Sequence, residues 1–476
     1  MAEQSLKRQT LNGAIWRILE SGGTQVIQFV ISIVLARLIL PEQFAAIAML
    51  TIFIAIAEVF INSGFSTALM RKNNRTQTDC DTVYIFNIVV SVFSYIVLFI
   101  IAPFVAKFYN LPELCIILRV TSVSLVIGSF GGVHRTLFTA RMDFKSLAKY
   151  NLLSLIISGI TGMTMAYLGF QVWALVTQSV LSTAIGTICI CIGSKWRPTW
   201  TFSWSSLKEF FSFGSKLLLS SLLDTGYRNI YSVVIGKFFP HSDLAYYNRA
   251  NGLGILMSST PTSVLQSVTF PALCKVQDST EILGATYRKI ISISAFVVFP
   301  LTLGVGAVSY PLINVLYTDV WIFAAGLLQI IVFSSMWYPI HAINLNLLKV
   351  RGRSDIFFRL EIIKKILGVI MLCITVPLGL KAMCYGAVAN SIIALIINTH
   401  YTGKLLNLGL IVQLKDIYPS LILSIIMFIA CKFLSTVLGN GILSLSITIC
   451  AGIIIYAGGA HLLKFKELAL LKNIRK

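Results

Sequence analysis

Two acid–base pairs stand where a membrane-crossing chain can least accommodate them. In the apolar stretch LLLSSLLDTGYRNIYSVVIGKFF (217–239), Asp224 and Arg228 are four residues apart, so a helix would set them on one face. In the opening stretch Arg17 and Glu20 are three apart, with Gln25 and Gln28 a turn or two beyond. A charge at bilayer depth costs about 2.5–3.5 kcal/mol on insertion scales, so such residues face a bundle interior or a water-filled cavity. The chemistry these types offer is binding. Guanidinium forks match phosphate oxygens two at a time, and the carboxylates would balance them and titrate. The competing reading is a pair of structural salt bridges that only fix helix packing. Arg249 joins these four as a candidate contact for an anionic cargo. Glu58, His134, Arg135, Lys364 and Lys365 are further ionisable residues within apolar runs. The last two lie near a helix end and could snorkel.

The elements that would carry these residues are membrane spans. Of the 476 residues 57% are hydrophobic and only 12% charged, and mean hydropathy is +0.84; a soluble chain would carry about 25% charged residues. The net charge of +20 does not signal nucleic acid, because the basic residues lie in short clusters between apolar runs. Those clusters recur in every second loop, for example Arg71-Lys72-Arg75, Arg141-Lys145-Lys149 and Lys349-Arg351-Arg353. That bias predicts cytoplasmic termini. The tail KFKELALLKNIRK reads as a basic amphipathic segment on the inner surface.

Apolar runs predict about fourteen spans, near 14–40, 43–66, 83–106, 114–138, 147–168, 172–193, 217–239, 244–270, 287–308, 320–348, 360–380, 384–403, 419–438 and 442–463. Ala36-Arg37 and Gly236-Lys237 are followed at equal spacing by Phe44-Ala45 and Leu244-Ala245. This echo divides the all-α chain into a six-helix lobe over 1–205, a second over 206–405, and two added helices with a basic tail over 406–476. The repeats are parallel, which sets a site between halves. The linker SKWRPTWTFSWSSLKEFFSFGSK carries Trp196, Trp200 and Trp204, residues that favour the headgroup level. It reads either as an interfacial connector or as a surface where a lipid-linked substrate approaches. The scattered cysteines read as small apolar side chains. Asp79-Cys80-Asp81 has the DxD form of metal-dependent sugar transferases, but a solvated loop explains it better. No metal-ligand spacing, P-loop or nucleophile elbow occurs, and no catalytic or metal residue is assigned. Short loops argue against a polymerase or ligase.

Three stretches carry a family resemblance: TLNGAIWRILESGGTQVIQFVISIVLARLILPEQF, NSGFSTALMRK, and FGSKLLLSSLLDTGYRNIYSVVIGKFF leading into LAYYNRANGL and FPALCKVQ. The chain resembles the Wzx-type polysaccharide flippases of the multidrug/oligosaccharidyl-lipid/polysaccharide (MOP) exporter superfamily. Within these it is similar to the colanic-acid and teichuronic-acid exporter group. The resemblance implies a bundle of two six-helix lobes that moves an undecaprenyl-pyrophosphate-linked oligosaccharide across the bacterial inner membrane. It implies a charged central cavity, a role carried onto Arg17, Glu20, Asp224, Arg228 and Arg249. It also implies coupling to protons or sodium, with no other cofactor. The expected partners are the lipid-linked substrate, membrane lipid, and a polysaccharide polymerase with other assembly proteins, but no nucleic acid. The alternative within the superfamily is a cation-coupled drug or metabolite antiporter.

Overall fold

With no water in hydrocarbon to meet backbone N–H and C=O groups, a chain this apolar must satisfy them within its own segments. The computed structural model describes residues 2–62, 64–72 and 74–468; side chains are left aside at 2–15, 17–19, 21, 212–214, 216, 217, 267, 268 and 354. Among the described residues the regular structure is helical, without a strand. The helices are α1 (Ala2–Leu38), α2 (Pro41–Asn62), α3 (Phe65–Arg71), α4 (Gln77–Tyr109), α5 (Glu113–Ala140), α6 (Phe144–Tyr167), α7 (Val172–Gly193), α8 (Trp204–Phe238), α9 (His241–Lys275) and α10 (Thr280–Ala307). They continue with α11 (Ser309–Tyr317), α12 (Ile322–Ser335), α13 (Tyr338–Val350), α14 (Ser354–Thr375), α15 (Leu380–Leu406), α16 (Leu410–Leu438) and α17 (Ile442–Leu462). The longest connection between them runs from Ser194 to Ser203, so no loop holds a separate soluble domain.

Among the described residues nine helical segments are long and apolar enough to cross a membrane, α4, α5, α7, α10, α15, α16 and α17 among them. Besides α1, of which Gly22–Leu38 counts as a shorter apolar helix, the other long helices that sequence patterning placed in the membrane are α6, α8, α9 and α14. They fall outside that set because polar residues dilute them: Asn151 and Ser154 in α6, Asp224 and Arg228 in α8, Arg249 in α9, Glu361, Lys364 and Lys365 in α14. Three of these helices, α8, α9 and α14, carry residues singled out from the sequence.

Several predicted spans are subdivided. The run at 43–66 becomes α2 and α3, turning at Gly64, whose φ of 78° suits glycine. The run at 320–348 breaks into α12 and α13 around Met336–Trp337, and Pro339 sits in the first turn of the second piece, where its missing N–H is harmless. The tryptophan linker is shorter than its composition implies. Ser203 caps α8 by accepting from the Ser206 N–H at 3.3 Å, so Trp204 already begins the helix.

The chain forms two compact units, Met1–Leu244 and Ala245–Lys476. In the first, α4 packs on α5, α6 on α7, α1 on α6, and α8 on α2, α3 and α4. Glycines set how closely α6 and α7 approach: a Cβ on Gly162 would fall 2.9 Å from Gln178 Cβ. In the second unit α10 packs on α16, α15 on α12 and α14, and α16 on α17. There Arg288 on α10 forks onto Asp416 at 2.6 and 2.8 Å, and the Tyr456 hydroxyl donates to the Phe296 carbonyl at 2.9 Å. These bonds tie α16 and α17 to α10.

The DxD stretch is neither a solvated loop nor a metal site. Asp79 closes a capping box with Thr76 at the start of α4 and pairs with Lys72 at 3.1 Å. Asp81, 0% exposed, accepts from the Thr199 and Thr201 hydroxyls and the Thr199 N–H, and so staples the linker to α4. Removing a buried acceptor leaves several donors unpaired, each worth roughly 1–3 kcal/mol. Asp81→Ala is expected to lower stability by about 3 kcal/mol or more, seen as an earlier melting transition in detergent. An unchanged transition would show that the staple contributes nothing.

Candidate functional site

Inside the first unit six helices leave two adjoining polar cavities, each of about 400 Å³. Arg135, Asn151, Ser154 and Ser182 line both. The first is completed by Glu58 and Asn62 of α2, Asn87 of α4, and Thr183 and Thr187 of α7; the second by Glu20, Gln25 and Gln28 of α1. Local packing creates the space. Small residues on α5 let α7 come close: a Cβ on Gly131 would meet Thr187 at 3.4 Å, and one on Gly128 would meet Thr183 at 3.4 Å. Close approach through small residues is how membrane helices pack without a hydrophobic drive.

Asn151 organises the charges. Its Nδ2 donates to Glu20 Oε1 at 2.6 Å, and its Oδ1 accepts from Arg135 at 3.4 Å. A carboxylate only accepts and a guanidinium only donates, so these two partners fix which way the amide points. One asparagine on α6 thus bridges an acid on α1 and a base on α5. Glu20 is 6% exposed, whereas Arg135 and Glu58 remain accessible from the cavity side. Asn87 Oδ1 is buried with no hydrogen-bond partner among the described residues. The arrangement suits binding of a polar, charged group; among the described residues no cluster of three or more His, Cys, Asp or Glu side chains could hold a metal.

The residues singled out from sequence are distributed as follows. Glu20 lines the second cavity. The Arg17 side chain lies outside the described residues. Asp224 and Arg228 pair with each other on α8, Nε to Oδ2 at 2.7 Å, and both are accessible at 44% and 77%. They line neither cavity. Arg249, in the second unit, stacks over the Tyr317 and Trp321 rings at 5.3 Å each, a cation–π arrangement. Lys364 pairs with Glu361 on its own helix. His134 is buried edge-on between Tyr84 and Trp196, a core position. Trp196 is buried too, donating from Nε1 to Gln77 at 2.8 Å, while Trp200 and Trp204 are 62% and 76% exposed.

Sequence reasoning named Arg135 and Glu58 but missed Asn151, Asn87 and the hydroxyl row of α7. The signal was present: Ser182, Thr183, Gly186 and Thr187 recur at helical spacing in an otherwise apolar run, as do Asn151, Ser154 and Ser158 in α6.

The fold and the cavities define the class: a polytopic α-helical integral membrane protein with charged, solvent-sized space inside its bundle. Residues 34–326 match the polysaccharide biosynthesis protein family, and the chain belongs to that family. It is 23% identical over 356 residues, 74% of each chain, to teichuronic acid biosynthesis protein TuaB of Bacillus subtilis (strain 168). It is 23% identical over 401 residues, 83% of this chain and 80% of the relative, to lipopolysaccharide biosynthesis protein WzxC of Escherichia coli (strain K12). Its fold is similar to that of the lipid II flippase MurJ in an inward closed conformation, with a TM-score of 0.76 and 14% identity over 94% of this chain and 98% of that one.

Glu20→Gln keeps an acceptor for Asn151 but removes the charge. It is expected to lower stability by only about 1 kcal/mol, since a charged bond is roughly twice as strong as a neutral one. Asn151→Leu, which takes one hydrogen-bond partner from Glu20 and one from Arg135, should lower it by about 3 kcal/mol. Thermal melting of the two variants side by side checks the order; a larger loss for Glu20→Gln would contradict the bridging role of Asn151.

Proposed function

We propose that this chain is a transporter, not an enzyme: a flippase that moves a lipid-linked oligosaccharide repeat unit, carried on undecaprenyl pyrophosphate, across the bacterial inner membrane for surface polysaccharide biosynthesis. The observation that carries the reading is the pair of cavities holding Glu20, Glu58 and Arg135 among amide and hydroxyl side chains, inside helices that are otherwise apolar. Asn, Ser and Thr groups suit sugar hydroxyls, and a guanidinium suits a diphosphate. Family membership and the relatives that act in teichuronic acid and lipopolysaccharide biosynthesis support the same cargo class.

In this reading Arg17, Arg228 and Arg249 contact the anionic parts of the cargo. Glu20 and Asp224 balance them and change protonation as the protein alternates access between the two membrane faces. A proton or sodium gradient supplies the direction. Both termini face the cytoplasm, because the basic loops alternate with poor ones. A polymerase and other assembly proteins receive the flipped unit.

The test is transfer of a fluorescent polyprenyl-diphosphate oligosaccharide across proteoliposomes containing the full chain. Wild-type protein should equilibrate the leaflets. Arg135→Ala and the Arg17→Ala/Arg228→Ala pair should slow transfer by about tenfold to a hundredfold, the range set by losing one or two charge-assisted bonds. In cells, deletion should remove surface polysaccharide and leave drug sensitivity alone. The reverse pattern, drug sensitivity with intact surface glycan, would establish the antiporter instead.

A further inference from the structure

A separate basic cavity of about 340 Å³ lies where α4 begins and α5 ends, lined by Arg75, Gln77, Cys80, Arg141 and Trp196 among others. Arg75 sits in the turn just before the α4 cap, and Arg141 is the C-cap residue of α5. Neither guanidinium has a hydrogen bond or ion pair with another described residue. The neighbouring charges are already committed. Asp79 holds Lys72, and Lys72 also holds Glu209 at 3.0 Å; that second bond raises the Lys72 pKa above its ordinary value. Asp81 is taken up by Thr199 and Thr201. Arg197 caps carbonyls of Cys191 and Trp196. Two guanidiniums thus border one cavity with no ion pair to a described residue, so an anion seated between them would gain two charge-assisted partners.

The position narrows the anion. The cavity opens at helix ends, on the side where the basic loops gather, and beside it run the exposed Trp200 and Trp204, side chains that settle at the headgroup level. The linker bearing them is held in place by Asp81 and by Tyr84, whose ring stands 5.5 and 5.7 Å from those of Trp196 and Trp200. We propose that this cavity binds the phosphate-ester headgroup of a lipid, with Arg75 and Arg141 taking the phosphate oxygens and the Trp196 indole forming the apolar wall. The phosphate can come from a bulk anionic phospholipid or from a polyprenyl diphosphate at the cytoplasmic face. The assignment does not rest on the flippase reading; it needs only a membrane at this rim.

Native mass spectrometry of the full chain in detergent, titrated with phosphatidylglycerol and separately with undecaprenyl diphosphate, tests it. Wild type should retain a headgroup that Arg75→Gln/Arg141→Gln holds about tenfold or more weakly, the loss expected from removing charge-assisted bonds. Lys289→Gln/Lys415→Gln removes the same charge from exposed positions of the second unit and should bind within about twofold of wild type, since screened charges that do not line the cavity contribute little. Tighter retention of phosphatidylglycerol identifies bulk lipid as the source; tighter retention of the diphosphate identifies the polyprenyl carrier. Equal binding by wild type and the Arg75/Arg141 variant, or equal loss in both variants, overturns the site. So does a lower lipid-free melting temperature for the Arg75/Arg141 variant, because that would mean the arginines hold protein groups instead.

Discussion

Hydrocarbon offers no partner to a charge or an unpaired dipole, and the interior of this protein is arranged around that fact. Several ionisable groups described within the long helices are met by something of their own chain. Glu20 is met by Asn151, Arg228 by Asp224, Lys364 by Glu361, and Arg249 by the faces of Tyr317 and Trp321. The outward surfaces go the other way: α16 and α17 present Ile422, Ile426, Ile429, Phe433, Ile453 and Ile454. Which residues face lipid and which face one another follows from the same penalty.

The two units meet this constraint differently. In the second, polar side chains consume one another. Asn344 and Gln413 exchange amide bonds at 3.0 and 3.2 Å while the Thr402 hydroxyl donates to Asn344 at 2.6 Å. Nearby, the His341 ring lies between Ser391 and Asn398. Bonds in such a network reinforce one another. In the first unit the polar groups of α1, α2, α4, α5, α6 and α7 border open space instead. An open charged cavity in one unit and a hydrogen-bonded amide and hydroxyl network in the other is a division of labour that fits a protein with cargo to hold.

The rim of the first unit shows the same economy at the membrane surface. Asp79 and Asp81 resemble a transferase motif in letters only; in space one caps a helix and the other holds a linker. Among the described residues Arg75 and Arg141 at that rim make no side-chain hydrogen bond or ion pair. A short motif says which atoms are present, whereas its meaning depends on which donors the fold delivers to them.

Sequence alone determined the class of this protein. Long apolar runs, alternating basic loops and brief connections specify a helical membrane bundle, because the bilayer penalises every other solution. The echo of Arg37 by Lys237 is matched in space, where both lie in the last turn of their helices. Ion pairs within one helix were also legible, since Asp224 and Arg228 need only 3.6-residue geometry to meet. What tertiary structure decided was every meeting between helices. Asn151 is an unremarkable amide in α6 until α1 and α5 bring Glu20 and Arg135 to its two ends, and the hydroxyls of α7 become a cavity wall only beside the glycines of α5. Periodicity assigns a residue to a face of its own helix; which neighbour that face meets is set by packing of residues far apart in the chain, and no local spacing records it.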